Sequence, residues 1–369
     1  MLLPLTIRSC VRQWLGHYAN LKKVLIYGSR LAGLLRFTAA GTLPALIRPT
    51  NGCMQLALTG YCNLRCMGCR YGRDFMPGFQ LPLNKILELL DDATKCGVHT
   101  VRLYGGEPLL HKDLPAIIKR ALKNNLKTYV TTNGTLLRQK MDSLWDAGLR
   151  TITIGYYGAH ERYDSYVQRM GAFEKLVGGL EYIRKRYGDK LEVQLNFLLM
   201  RPTCTLEAVS QAWELSERFQ TDFRVDLIHY SLPYFSEGCE RELQFRAEDK
   251  SAILCVVAEF LRLRDQAPER FKESPLSIRA IPDWLLRGPE MKVPCDASDM
   301  LWVGADGTVQ MCYVAFRLGN LYETPLRDLL KTSAHRKAAY DSFRLNCPNC
   351  HCGRESRISK NLASIRAYR

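Results

Sequence analysis

Three cysteines, Cys62, Cys66 and Cys69, stand in the run Thr59-Gly60-Tyr61-Cys62-Asn63-Leu64-Arg65-Cys66-Met67-Gly68-Cys69, and no other feature constrains the chain as strongly. Three thiolates at this spacing can surround one iron–sulfur cube, and the run supplies no fourth ligand. One iron of such a cube stays open to a small molecule, as a catalytic metal keeps a position that a structural metal fills. Two plainer settings exist for close cysteines in a reduced protein, a zinc site and a four-cysteine electron carrier. A zinc ribbon calls for a second Cys-x-x-Cys within about twenty residues, whereas the next cysteine, Cys96, is alone inside a helical pattern.

Gly105-Gly106-Glu107-Pro108 follows at the end of a second apolar strand. Together the cysteine run and this turn resemble the radical SAM superfamily, and the resemblance covers about residues 50 to 355. It implies that the amino and carboxylate groups of S-adenosylmethionine chelate the open iron of a [4Fe–4S] cluster, which cleaves the molecule reductively to a 5′-deoxyadenosyl radical. It also implies that Gly105, Gly106 and Glu107 receive the amino group, partly through backbone oxygens, with the glycines permitting close approach. Arg169, in Arg169-Met170-Gly171-Ala172-Phe173, matches the segment that supplies a basic residue near the carboxylate. Asn133 and Asn196 match polar positions near the ribose or methionyl part, although a strand-end Asn is also a common turn former.

Two positions depart from the family pattern. The residue before the third cysteine is commonly aromatic and is here Gly68, which leaves adenine to Tyr71 or to backbone. The fourth strand commonly ends in a Ser-x-Asp-Gly-like run and here ends in Gly155-Tyr156-Tyr157-Gly158. The two tyrosines either narrow the pocket and donate hydrogen bonds or serve packing. Tyr156, Tyr157, Asp226 and His229 sit at strand ends that suit an acid or base, but no residue can be named as one.

From Met54 short apolar runs alternate with amphipathic stretches, which predicts strand–helix units and a parallel sheet. The strands fall near 54–59, 100–104, 127–131, 150–156, 191–199 and 222–229, and the helices near 82–96, 112–125, 135–147, 171–187 and 205–219. The fold class is α/β, a partial (β/α)6 TIM-like barrel with a small cysteine-rich domain at the carboxyl end. Parallel barrels place their chemistry at the carboxyl ends of strands, where Cys62, Glu107, Asn133, Tyr156 and Asn196 fall. The expected divisions are a basic amphipathic segment at 1–50, the core at 51–235, a helical linker at 236–294, the auxiliary domain at 295–355 and a basic tail at 356–369.

The auxiliary segment opens with Cys295. A strand, an Asp306-Gly307 hairpin turn and a returning strand then lead to Cys312. Gly319-Asn320-Leu321 and Cys347-Pro348-Asn349-Cys350-His351-Cys352 follow. These runs resemble the SPASM and twitch extensions of radical SAM enzymes, which bind auxiliary [4Fe–4S] clusters. A full SPASM domain has about seven cysteines and this segment has five, which fits one cluster held by Cys295, Cys312, Cys347 and Cys350. Cys352 is then surplus, either replacing one of the four or staying free, and His351 is left unassigned. A zinc site from the same cysteines is the competing possibility.

The formal charge of +15 is carried at the ends. No acidic residue precedes Asp74, while ten basic residues do, and the stretch after Cys352 adds +4. The body is nearly neutral, so a nucleic-acid surface is not implied. Ile7, Cys10, Val11, Trp14, Tyr18, Leu21 and Leu25 recur at helical intervals with basic residues off the stripe. Such a helix suits an anionic membrane surface or a cover over an open side of the next domain, and the cover is the simpler expectation; an organellar transit peptide has a similar composition. Fourteen cysteines with no signal-peptide pattern imply a reducing compartment, the cytoplasm, with peripheral contact to the inner membrane surface left open.

The expected function is hydrogen-atom abstraction from a small-molecule, sugar or lipid-linked substrate, leading to oxidation, epimerisation or cross-linking. A reduced flavodoxin or ferredoxin would be the electron donor. The alternatives are a peptide maturase acting on a ribosomal peptide, a radical SAM enzyme with a structural zinc site, and an electron carrier without catalysis.

Overall fold

The structure is a computed structural model, and it describes residues 19–229, 241–313 and 315–369. Nine strands form one sheet in the order β6-β5-β4-β3-β2-β1-β7-β8-β9. They are β1 Cys53–Thr59, β2 Thr100–Gly105, β3 Lys127–Thr132, β4 Thr151–Tyr156, β5 Glu192–Leu199, β6 Asp222–Leu227, β7 Met300–Val303, β8 Thr308–Gln310 and β9 Arg317–Asn320. The first six pair in parallel as chain neighbours, which is the predicted partial barrel.

Strand alternation sorts the side chains. On β5, Val193, Leu195, Phe197 and Leu199 are buried in the main core, while Gln194 and Asn196 take the other face. Helices Leu83–Lys95, Leu114–Lys123, Leu137–Asp146, Ala172–Tyr187 and Leu206–Arg218 supply the opposing apolar stripes; Ile86, Leu89, Leu90 and Ala93 form one of them at helical spacing. Their positions match the sequence reading within about three residues. A helix at His160–Val167 was not anticipated. Its buried Tyr163, Tyr166 and Val167 lie at i, i+3 and i+4, a pattern too short to stand out from the Tyr-rich run around it.

The larger departure concerns the auxiliary segment. Its hairpin does not stand apart: β7 pairs in parallel with β1, in the register Cys53↔Met300 to Leu56↔Val303, and β8 and β9 continue antiparallel. Asp299 fixes this junction, accepting from Thr50 Oγ1 at 2.7 Å and from the Gly52 amide at 3.0 Å. The segment read as a linker also packs, through helices Lys250–Gln266, Pro275–Arg279 and Ile281–Arg287, whose Phe260, Ile278, Ile281 and Trp284 enter the main core. The basic tail is docked as well. Arg357 is fully buried, with its guanidinium 4.8 Å from the Trp284 ring centroid, and Ile358 is fully buried beside it in sequence.

The carboxyl end of helix Ala19–Ala40 packs on the auxiliary segment. Phe37 packs edge-on to Phe343 with centroids 5.2 Å apart, in a cluster with Ala40, Ile47, Met311 and Ala339. Leu31, Leu35, Leu43 and Leu46 stay exposed. The apolar stripe at Ile7–Leu25 lies outside the described side chains. Among the described residues no helix is long and apolar enough to cross a membrane.

Candidate active site

At the carboxyl end of β1 the chain enters the loop carrying Cys62, Cys66 and Cys69, all free thiols. Backbone bonds pin this loop to the following elements: Arg65 N donates to Val167 O at 3.1 Å and Met67 N to Tyr166 O at 2.8 Å. Arg73 donates to the carbonyls of two of the cysteines, Cys66 at 3.1 Å and Cys69 at 2.6 Å. Gly60 and Gly72 let the two arms of the loop touch, since a Cβ on Gly72 would overlap the Gly60 carbonyl and one on Gly60 the Met76 carbonyl. Sequence reasoning missed Gly60, Gly72 and Arg73; the glycines beside a cysteine run were the available signal.

The turn at the end of β2 rests on the same loop. Gly106 N donates to Thr59 O at 2.7 Å and Glu107 N to Tyr61 O at 2.8 Å. Gly105 has φ +134°, and a Cβ there would stand 2.5 Å from Thr59 O, so only glycine fits. Glu107 turns inward and is fully buried. Its carboxylate accepts from Thr132 Oγ1 at 2.7 Å, Asn133 N at 2.8 Å and Leu109 N at 3.0 Å. Burial raises its pKa to about 7 against the opposing pull of these donors.

Asn133 and Arg169 reach the loop at Asn63. Asn133 Nδ2 donates to Asn63 Oδ1 at 2.9 Å, and Arg169 Nη1 donates to Asn63 O at 2.6 Å. Five of the six predicted cofactor residues, Gly105, Gly106, Glu107, Asn133 and Arg169, therefore gather around the cysteine loop. Asn196 is apart from them: on β5 it donates to Asp226 Oδ2 at 2.7 Å and accepts from Gln194.

Tyr71, offered above for adenine, is buried and packs with Tyr104, Phe75 and Trp302, its phenol beside the Ala305 backbone. Tyr157 packs with its ring tilted against Tyr166 and Tyr163 and borders Cys66 and Cys69. Tyr156 is fully buried, and its hydroxyl has no hydrogen-bond partner among the described residues.

The thiols of the loop are near enough to act on one another electrostatically. Burial first, then the neighbouring negative groups, pushes Cys62 up to about 11 and Cys66 well above the ordinary thiol value. Thiolates in such a place need a cation to form, as iron provides. Among the described residues no three metal-binding side chains converge on a single-ion point. Each thiolate of a cube takes a different iron, so the triad's all-thiol donor set and proximity fit that group.

The second cysteine set lies across β1. Cys295 and Cys312 flank the cluster of Phe37 and Phe343. Cys352 hydrogen-bonds Cys350 and faces Cys312 and Cys295, whereas Cys347 has Cys350 as its neighbouring thiol. The residue left as surplus thus sits within the set. His351 gives Nε2 to Leu227 O at 3.1 Å and stacks on His229 at 4.0 Å. Arg357 holds the run by donating to Cys350 O and Val293 O.

A thiol triad set on a glycine turn, at the carboxyl rim of a parallel α/β sheet, defines a class of iron–sulfur enzymes. A sequence model of the radical SAM superfamily matches residues 56–205, and one of the SPASM iron–sulfur cluster-binding domain matches 295–352. The chain belongs to the radical SAM superfamily and carries a SPASM domain at its carboxyl end. Its cofactors are the superfamily's [4Fe–4S] cluster with S-adenosylmethionine and an auxiliary iron–sulfur cluster.

The chain is 39% identical over 134 residues to the GTP 3′,8-cyclase of Aquifex aeolicus, covering 34% of this chain and 42% of that protein. It is 27% identical over 287 residues to the GTP 3′,8-cyclase of Tolumonas auensis, covering 75% and 81%. Several other curated relatives are matched over less than half of their length. Among solved structures, anSMEcpe with bound AdoMet and a Cp18Cys peptide shares the fold, with TM-score 0.60, 17% identity and coverage of 83% and 87%.

Proposed function

We propose that this enzyme abstracts a hydrogen atom from a polar small-molecule substrate held on the concave face of the sheet, between its two cysteine sites. The reading is carried by one arrangement: the Cys62–Cys69 loop and the Gly105-Gly106 turn lie on one rim while the auxiliary hairpin closes the β1 edge beside them. When bound, the cluster and S-adenosylmethionine supply a 5′-deoxyadenosyl radical. Cys62, Cys66 and Cys69 would hold the first cluster, and Arg73 would steady two of these ligands through their carbonyls. Gly105 and Gly106 would leave room for the methionyl amino group, and Glu107 would fix the turn from behind. Asn133 and Arg169 would act through Asn63 to keep the loop in register. Asn196, on β5, would meet the substrate side. Cys295, Cys312, Cys347 and Cys350 form the proposed auxiliary set, with Cys352 inside it, and the auxiliary cluster would accept the substrate electron or hold the substrate.

A small molecule is favoured because the concave strand positions are polar: Gln55, Arg102, Thr131, Gln194, Asn196 and Asp226. The named GTP 3′,8-cyclase relatives fit this substrate class. Peptide modification is the second reading, supported by the fold shared with a peptide-bound structure. The exposed leucines beside the acid-free amino-terminal stretch support peripheral contact with a cytoplasmic membrane face. A reduced flavodoxin or ferredoxin is the proposed electron donor.

The test is 5′-deoxyadenosine formation by the anaerobically reconstituted protein with dithionite. Its absence would overturn the reading in favour of an electron carrier. Iron and sulfide analysis with electron paramagnetic resonance should give about eight irons, falling to about four when Cys62, Cys66 and Cys69 are replaced together. A wild type with about four and a variant with none would remove the auxiliary cluster from the mechanism.

A further inference from the structure

Arg102 lies on β2, opposite Gln55 of β1 and Tyr129 of β3 in the strand register. Its Nε donates to Thr131 Oγ1 at 2.8 Å, and its Nη1 donates to the Tyr313 hydroxyl at 3.0 Å and to Gln55 Oε1 at 3.4 Å. Its guanidinium carbon is 4.9 Å from the Tyr104 ring centroid. Every one of these partners is neutral. Asp226, the carboxylate whose charge reaches Arg102, is held by Asn196 at 2.7 Å and by Arg224 at 3.4 Å, and it makes no ion pair with Arg102.

Other inward arginines are accounted for differently. Arg354 has the Glu273 carboxylate at 2.7 Å, and Arg184 and Arg357 spend their donors on backbone carbonyls. Arg102 is half-buried, pairs with no carboxylate among the described residues, and keeps Nη2 out of the hydrogen bonds that hold its Nε and Nη1. A guanidinium held on two nitrogens by neutral groups, with the third left over, is suited to receive an anion. Its location supplies the direction. Gly105, three residues on, lies against Thr59, the last residue of β1 before the first cysteine loop, and Tyr313 directly follows Cys312 of the second set.

We infer that Arg102 seats an oxyanion of the substrate, a carboxylate or a phosphate, between the two cysteine sites. This deepens the function proposed above and rests on it. Tyr313, Thr131 and Gln55 hold Nε and Nη1 and so orient the guanidinium, leaving Nη2 with its N–H donors for a charge-assisted hydrogen bond to the oxyanion.

The test is calorimetric titration of the anaerobic, cluster-loaded enzyme with pyrophosphate and, separately, malonate. One of the two should bind, and which one does separates phosphate from carboxylate. Arg102→Gln should weaken that binding about 10- to 100-fold. Arg102→Lys, which keeps the charge, should lose less, and Tyr313→Phe, which removes one orienting acceptor and leaves the charge, should also weaken binding less than Arg102→Gln does. Iron content and thermal unfolding of each variant identify one that has failed to fold. Anion binding that is absent from the wild type, or equal in the wild type and a folded Arg102→Gln, overturns the assignment and leaves Arg102 as a pin for Tyr313. Formation of 5′-deoxyadenosine by the wild type without substrate is scored separately, so failure of the radical chemistry and failure of the anion seat are told apart.

Discussion

Gly72 lies directly against the carbonyl of Gly60, so the backbone leaving the cysteine run folds back onto the backbone entering it. The obstacle to any side chain at Gly72 is main chain, which cannot rotate away. Gly72→Ala should therefore cost about 1–3 kcal/mol in strain and spread the loop. Iron bound after reconstitution should fall to the level of the triple-cysteine variant while far-ultraviolet circular dichroism stays unchanged. Full iron loading would refute the close-approach argument.

Arg73 donates to the carbonyls of Cys66 and Cys69. Groups that orient ligands from behind commonly set metal affinity by about 10- to 100-fold. Arg73→Ala should lose iron to a chelator faster than wild type by a factor in that range, with the auxiliary signal in electron paramagnetic resonance unaffected.

Glu107 has a pKa of about 7 in the folded chain, raised chiefly by burial, against about 4.3 for an exposed glutamate. A raised carboxyl pKa means that the folded state holds its proton longer than the unfolded state. Stability from this group is complete below about pH 4 and is lost as pH rises to about 7, by roughly 3.5 kcal/mol. Urea unfolding of cluster-free protein at several pH values should show that slope, and Glu107→Gln should flatten it. Equal slopes would exclude Glu107 as its source.

Arg354 and Glu273 form a buried pair, with Nη2 at 2.8 and 2.7 Å from the two carboxylate oxygens. Removing the cation alone leaves a buried carboxyl with Arg224 at 3.8 Å. Arg354→Met should destabilise by about 3–5 kcal/mol, and the double change with Glu273→Met should recover much of it. A double variant as unstable as the single would mean that packing, and not charge, sets the cost.

The residues that gather at the candidate site were legible because their signals are local. Cys62, Cys66 and Cys69, with Gly105-Gly106-Glu107, sit in short runs whose spacing carries the chemistry, and the strands alternate at a period readable within a few residues. The role of Glu107 was less legible. Its side chain turns away from the rim to bind Thr132 and Asn133, 25 and 26 residues later, and no local pattern encodes that choice.

The sequence by itself determined the elements and the cysteine runs, since strand period, helix period and cysteine spacing are properties of neighbouring residues. Tertiary structure alone decided the rest. It made the auxiliary hairpin a continuation of the core sheet, through Thr50 and Asp299 at 249 residues' separation. It placed Cys352 among Cys295, Cys312 and Cys350, and it left Arg102 without a carboxylate partner while binding it to Tyr313, 211 residues away. Those outcomes follow from which buried groups meet once the sheet closes, and contacts of that range leave no periodic trace in the chain.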